Sequence, residues 1–480
     1  MGSLYPSPAG PRFLVIGAGS RGCAYARAIT VSTAGSIAAV AEPDAFKLKA
    51  FGQKYIWKDN KPQEGQAFTG WQEFVEWKTT RRVRAGSDNE SPAAITGVFV
   101  CTLDETHATI IRALAPLNLH IMCEKPLALS MTDCISISGA LAAYPPRVVS
   151  IGHVLRYSPH NILLRDLLVN QQVIGEVVSI EHTEPVGWWH FAHSLTGDRP
   201  HFPSNITSSG SLTHFRPLRK PKKAGKATNC LSCAAEPDCK YSAKSVYHDK
   251  FLMGAKDTGW PVKIVVPEIE DIVNTQGWER AGERLLTKLT EDYTADTPDE
   301  DIASKSWYGR CVYESDNNVV DDQFVTMTWD EDALNDSTYG RGPKQALFHM
   351  TYPTQAQCDR RGRIYGSDGE ITYDSHTITV YTFHDARKKL HSIPKQAPEV
   401  GASHGGGDWG LAGAFVRAVE AVDNGTATVA EAQTSFVGCD LDEIIRSHAV
   451  VFAAEHARTQ RNVVSFPDWW SQAATTMKTE

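Results

Sequence analysis

No apolar run in this chain of 480 residues approaches the roughly 18 residues that a membrane-crossing helix requires. Its start, Met1 to Pro11, is small, polar and proline-rich, without the apolar centre of a secretory leader. Pro6 stands where a myristoylation signal after Met1-Gly2 wants Ser or Thr. Excess positive charge is missing as well, and the formal net charge of −8 argues against a nucleic-acid surface. One basic stretch, Arg216 to Lys226, lies among prolines and glycines and reads as a solvated loop. Cysteine is sparse: 10 in the whole chain are too few for a disulfide scaffold, so a reducing cytoplasm is the expected setting. No internal repeat is visible. The expectation is a cytoplasmic globular protein with neither nucleic acid nor membrane as partner. It is long enough for two domains, because a single core usually stops growing near ~250–300 residues.

What is present begins at Arg12. The run Arg12-Phe13-Leu14-Val15-Ile16 reads as a buried strand, and Ser20 to Val31 as a helix with Ala24, Ala28 and Val31 on one side. Between them, Gly17 allows a tight turn, Gly19 lets backbone approach a pyrophosphate, and Gly22 lets the helix pack on the strand. Ser20 and Arg21 open that helix, whose free N–H groups and positive dipole end face the phosphates. A second strand, Ile37 to Ala41, ends in Glu42, where a carboxylate can hydrogen-bond a ribose 2′-hydroxyl.

The alternation of short apolar runs and helical patterns continues through strands at Ile95–Thr102, His120–Cys123 and Val148–Val154. The expected fold is therefore α/β, with a Rossmann dinucleotide-binding domain over residues 1–153. Ser130 or Thr132 is placed to cap the helix carrying Ile135, Ile137 and Leu141. Residues 154–480 have a different grammar. A helix, Ser158–Val169, and a strand, Val177–His182, lead into an irregular stretch rich in Pro, Gly, Ser and Lys. Five strand patterns then follow without intervening helices between Phe324 and Phe383, with Asp368-Gly369 as a turn. They predict an α+β domain with a largely antiparallel open sheet, whose outer face leaves room for a homo-oligomer. Asp408 is expected to N-cap a helix running to Val422, and Leu441–Ala457 forms another. These closing helices can pack back on the first domain.

A separate constellation is Cys230-x-x-Cys233, Cys239 and the distant Cys311. Four thiols suit a structural tetrahedral zinc, but the second half lacks a C-x-x-C pair, so free thiols in a compact loop remain open.

Four motifs coincide in the first domain: Gly17-x-Gly19-x-x-Gly22, Ala41-Glu42-Pro43, Thr102-x-Asp104-x-x-His107 and Glu124-Lys125-Pro126-Leu127-Ala128. Together they resemble the Gfo/Idh/MocA family, the glucose–fructose oxidoreductase and inositol dehydrogenase group of NAD(P)-dependent enzymes. Gly152–Tyr157 looks like the family's domain junction, Gly362–Gly369 like its sheet hairpin, His404–Asp408 like its loop before a late helix, and Ser447–Arg458 like its closing helix. The resemblance implies that Glu42 contacts the adenosine ribose and favours NAD. Arg21 keeps NADP open, since a guanidinium can take a 2′-phosphate. It also implies that Thr102, Asp104 and His107 line the nicotinamide-ribose side, with Glu124 and Lys125 at the nicotinamide. Lys125 stands out without the resemblance too. A lysine at the carboxyl end of a buried strand lies at the switch-point crevice, where it can steady an alkoxide or orient a hydroxyl.

One departure from the family matters. Its members carry a Lys-x-x-His-Asp-x-x-Asp-like run after the junction strand, to which proton transfer is assigned. Here Trp188-Trp189-His190-Phe191-Ala192-His193-Ser194 resembles the stretch before that run, and Leu195–Pro203 the stretch after it. A base for the hydroxyl proton is still required. Either the segment is lost from the gene product by an artefact, or the protein is a cofactor-binding pseudoenzyme, or His190, His193 or Tyr157 has taken over. Arg156, Tyr157 and His190 are the substrate-side candidates. The leading expectation is an NAD(P)-dependent oxidoreductase acting on a secondary alcohol or ketone of a sugar, cyclitol or polyol. A silent dinucleotide-binding protein and an NAD-using glycosidase are the alternatives.

Overall fold

The computed structural model describes residues 10–85, 95–186, 204–303, 306–314, 318–331, 342–356, 358–401 and 404–476. The first sheet contains β1 (Arg12–Ile16), β2 (Ser36–Ala41), β3 (Ala67–Phe68), β4 (Gly97–Val100), β5 (His120–Cys123) and β6 (Val149–Ile151). Their order is β3-β2-β1-β4-β5-β6, all parallel. Such strands are covered on both faces, which explains why Phe13 to Ile16 and Val98 to Val100 are continuous apolar runs with almost no exposure. The covering helices are α1 (Ser20–Ser32), α2 (Ala45–Tyr55), α3 (Trp71–Ala85), α4 (His107–Leu114) and α5 (Met131–Ala142). Ser130 caps α5, accepting the Asp133 amide at 3.0 Å. The strand order reverses between β1 and β4, which opens the crevice at the carboxyl ends of these strands.

β6 is shorter than the apolar pattern suggests. It stops at Ile151, and Val154–Tyr157 turns as a 3-10 segment before α6 (Pro159–Arg165). A second sheet of nine strands follows: β7 (Val177–Pro185), β8 (Asn205–Ser211), β9 (Asp322–Trp329), β10 (Lys344–Thr351), β11 (Arg361–Gly366), β12 (Gly369–Asp374), β13 (Thr377–Thr382), β14 (Arg387–Ser392) and β15 (Val464–Ser465). Its order is β14-β13-β12-β11-β7-β10-β9-β8-β15, antiparallel throughout except for β7 beside β10. The antiparallel reading holds, but β8, β14 and β15 escape a hydrophobicity-based search. Apart from buried Ile206, β8 is built of Asn, Ser, Thr and Gly, and β14 is an exposed, lysine-bearing edge.

Between β8 and β9 the chain leaves the sheet and forms a lobe of short turns around the helical stretch Ile269–Leu289, which is broken at Gly277. The lobe has its own apolar centre, including Tyr247, Leu252, Val262, Val266, Ile269 and Leu285. Sequence reading took the entry to this region as irregular and saw no helix in it.

The helices Gly407–Asp423 and Leu441–Gln460 do return to the first domain. Phe415 stands 5.9 Å from Phe13 and 5.3 Å from Phe99, ring centre to ring centre, and shares their core with Leu411, Val416 and Ile444. The Gln433 amide closes the open edge of β6, accepting from Val149 N at 3.0 Å and donating to Val149 O at 2.6 Å. Asp408 is not the N-cap that its position suggests. Gly406, with φ of 91°, occupies that place, and the Asp408 carboxylate turns to Arg21 and His404 instead.

Candidate dinucleotide site

The three glycines between β1 and α1 are distinguished by what surrounds them. Gly17 has φ of +94°, and a Cβ there would run into the Cys101 carbonyl. A Cβ on Gly22 would strike the Gly17 carbonyl and crowd Val15, so this glycine sets the approach of helix to strand. At Gly19, a Cβ would meet no protein atom within 4 Å. The surface beside Gly19 is therefore open to a ligand. Gly19 also caps α1 without any side-chain hydrogen bond, leaving the first amides of the helix, at exposed Ser20 onward, for an anion.

Glu42, buried at the end of β2, is fixed against this turn. Its Oε2 accepts the Ala18 amide at 2.7 Å and its Oε1 the Asp44 amide at 3.0 Å. A carboxylate has about four lone-pair positions, so each oxygen keeps one for a ribose hydroxyl.

Across the crevice, β5 ends in Glu124-Lys125-Pro126. Glu124 is buried and Lys125 exposed. Arg21 Nε donates to Glu124 Oε1 at 2.7 Å, Tyr25 Oη donates to the same oxygen at 2.6 Å, and the Lys125 amide donates to Oε2 at 3.1 Å. The other arm of Arg21 reaches Asp408 Oδ1 at 2.6 Å, and His404 Nδ1 lies 3.0 Å from Asp408 Oδ2. Burial alone would raise the pKa of Asp408, but hydrogen bonds from His404 and Arg21 outweigh it and hold the carboxyl well below its usual range. Arg21 itself loses solvation, yet the Tyr25, Glu124 and Asp408 charges raise its pKa further. This arrangement corrects the expectation for Arg21. Its guanidinium is held by two carboxylates, away from the role of 2′-phosphate ligand.

Thr102 and Asp104 lie after β4 on the same rim, partly exposed, and the Thr106 hydroxyl donates to Thr102 Oγ1 at 2.7 Å. His107 does not line the crevice. It is fully buried, with Nδ1 2.7 Å from the Pro126 carbonyl and Nε2 3.3 Å from the Thr102 carbonyl. His107 thus ties the Lys125-Pro126 turn to the end of β4. From the other side, the Leu127 amide donates to His448 Nε2 at 2.7 Å.

Arg156 and Tyr157 are also corrected. Arg156 pairs with Glu443 at 2.8 Å and donates to the Gly438 carbonyl at 2.9 Å, while Tyr157 Oη donates to the Val437 carbonyl at 2.8 Å. Burial, with nearby Cys439, pushes the Tyr157 hydroxyl far above its ordinary pKa. Both side chains secure the junction to the closing helices. His190, His193 and the junction after Ser194 lie outside the described residues. Sequence reasoning missed Tyr25, His448 and the pairing role of Asp408, since their partners are remote in sequence. The only hint was a carboxylate and a histidine set among consecutive glycines at 404–408.

In the β8–β9 lobe, Cys230, Cys233, Cys239 and Cys311 line one cavity of about 20 Å³. Burial pushes the Cys230 thiol up to about 12 and raises Cys239 and Cys311 in the same sense. Among the described residues, no three His, Cys, Asp or Glu side chains are set to hold a metal ion as they stand.

The strand order and the glycine turn with its facing carboxylate define a dinucleotide-binding α/β protein. This chain matches the family model GFO_IDH_MocA, described as an oxidoreductase family with an NAD-binding Rossmann fold, over residues 11–153. It is 34% identical over 77 residues to inositol 2-dehydrogenase 3 of Saccharopolyspora erythraea, covering 16% of this chain and 23% of that protein. It is 31% identical over 91 residues to 2,7-anhydro-N-acetylneuraminate hydratase of Escherichia coli, covering 19% of this chain and 24% of that protein. The matched segments thus span about a quarter of these relatives' length. Two solved structures share the fold over nearly the whole chain. An inositol dehydrogenase homolog complexed with NAD+ from Azotobacter vinelandii has a TM-score of 0.55 at 13% identity, over 95% of this chain and 97% of its own. An oxidoreductase from Agrobacterium radiobacter in complex with NAD+, L-tartaric acid and magnesium has a TM-score of 0.54 at 11% identity, over 96% and 99%. Among the described residues, no helix is long and apolar enough to cross a membrane.

Proposed function

We propose that this protein is an NAD-dependent dehydrogenase acting on a secondary alcohol of a sugar, cyclitol or related polyol, or on the corresponding ketone. The observation that carries the reading is the end of β5. It sets exposed Lys125 beside the glycine turn, with its neighbour Glu124 locked by Arg21 and Tyr25. Bound at this site, NAD supplies a hydride acceptor. The open face of Gly19 and the first amides of α1 suit its pyrophosphate, and Glu42 suits the ribose hydroxyls. NADP fits less well, because Glu42 would face a 2′-phosphate while Arg21 is occupied. Relatives named inositol 2-dehydrogenase support the substrate class.

In this reading Lys125 donates a hydrogen bond to the reacting oxygen and steadies negative charge on it. The hydroxyl proton needs an acceptor within hydrogen-bond reach. The described residues join one histidine to the Glu124 network, His404 through Asp408 and Arg21. With Nδ1 turned to Asp408, Nε2 is the ring nitrogen left to face a substrate. We assign that role to His404 in place of the family's absent segment.

The test is calorimetric titration with NAD and NADP, followed by a panel of cyclitols, aldoses and polyols monitored for reduced nicotinamide. The expected result is tighter binding of NAD and turnover on at least one cyclitol or sugar. Tight NAD binding with no turnover across the panel would favour the pseudoenzyme. Release of an aglycone without net NADH would favour the glycosidase.

A further inference from the structure

The β8–β9 lobe begins and ends at a narrow neck. Asn229 and Arg310 pair there as an antiparallel bridge. The Cys230 amide donates to the Gly309 carbonyl at 2.8 Å, and the Cys311 amide to the Thr228 carbonyl at 2.8 Å. These bonds set Cys230, at the entry of the lobe, beside Cys311, at its exit. Cys233 follows Cys230 through a 3-10 turn closed by its own amide on the Cys230 carbonyl at 3.2 Å, and a second short turn brings back Cys239. All four cysteines line the same small cavity.

We propose that Cys230, Cys233, Cys239 and Cys311 form a structural zinc site that clamps the neck of this lobe. Four sulfur ligands from a C-x-x-C turn and two further segments match the closed tetrahedral coordination of structural zinc, and soft thiolates select zinc over harder cations. A small lobe with a modest core of its own gains most from such a staple. As the side chains stand, the four sulfurs are not gathered about one point. Binding therefore turns the side chains inward around the cavity, at Zn–S distances of about 2.3 Å. Each thiol releases its proton to solvent as its sulfur bonds to zinc, and no redox step is involved. The site is remote from Lys125 in function and independent of the dehydrogenase reading.

The test is elemental analysis of the full-length protein, purified without chelators or oxidants and freed of loose metal by gel filtration. The expected result is about one zinc per chain. Cys233→Ser and Cys311→Ser should lower retained zinc at least about tenfold, while Cys358→Ser leaves it unchanged. Cobalt(II) added to zinc-stripped wild type is the second measurement, independent of how Cys311→Ser folds. Strong near-ultraviolet sulfur-to-cobalt absorption and tetrahedral visible bands support the site. Four reagent-accessible thiols that persist after equimolar zinc would overturn it, as would iron with inorganic sulfide, or a disulfide among these cysteines.

Discussion

Arg21 and Asp408 meet at 2.6 Å although 387 positions separate them, and the same guanidinium holds Glu124 at 2.7 Å. A residue of the dinucleotide turn is thereby joined to the first turn of a closing helix and to the strand end that carries Lys125. The geometry of the crevice depends on both halves of the chain.

The Arg21–Asp408 contact gives an acid-sensitive contribution to stability. The Asp408 pKa is depressed in the folded chain, so the contribution is complete above the ordinary aspartate value of about 3.9 and is lost as pH falls below it toward the folded value. Asp408→Asn should cost at least about 2 kcal/mol at neutral pH, less than the ~3–5 kcal/mol of a wholly buried pair because Arg21 keeps Glu124. Thermal melts should show a constant difference between the two proteins above about pH 5 and a narrowing one below about pH 4. A constant difference down to pH 2 would refute the assignment.

Gly19 and Gly17 should separate ligand contact from folding. Gly19→Ala places its methyl where no protein atom lies within 4 Å, so the melting temperature should hold while NAD affinity falls. Gly17→Ala drives a Cβ into the Cys101 carbonyl at positive φ, and should cost stability by about 1–3 kcal/mol. Equal melting losses in both variants would contradict this division.

Lys125 and His404 are distinguished by kinetics. Lys125→Met should lower kcat by about 10²-fold or more, the scale for losing a donor to a developing oxyanion, with NAD affinity unchanged. His404→Asn should lower kcat by about 10²–10⁴-fold with NAD affinity unchanged. If His404→Asn keeps kcat, the proton acceptor lies elsewhere.

Glu42→Ala should weaken NAD by about tenfold, because a charged acceptor for ribose hydroxyls is lost and the Ala18 amide is freed. NADP should weaken less. A larger loss for NADP than for NAD, measured by calorimetry, would overturn the cofactor preference.

The parallel sheet was legible because its strands are buried on both faces and so appear as unbroken apolar runs, as at Phe13–Ile16 and His120–Cys123. The glycine turn was legible because backbone sterics at Gly17 and Gly22 leave no alternative residue. β8 and β14 were not, since their polar side chains carry no period that a hydrophobic search detects. The lobe between β8 and β9 was read as loop because its core is assembled from several short turns around a helical stretch broken at Gly277.

By itself, then, the sequence determined the local elements: a glycine turn at Gly17–Gly22, a carboxylate, Glu42, at the end of β2 and a lysine at the end of β5. Only the tertiary structure decided how charges and buried groups pair. It gave Arg21 to Glu124 and Asp408, buried His107 behind Pro126, spent Arg156 and Tyr157 on the closing helices, and brought Cys230 beside Cys311. Such pairings join residues far apart in the chain, and neither periodicity nor spacing records which buried polar group will satisfy which other.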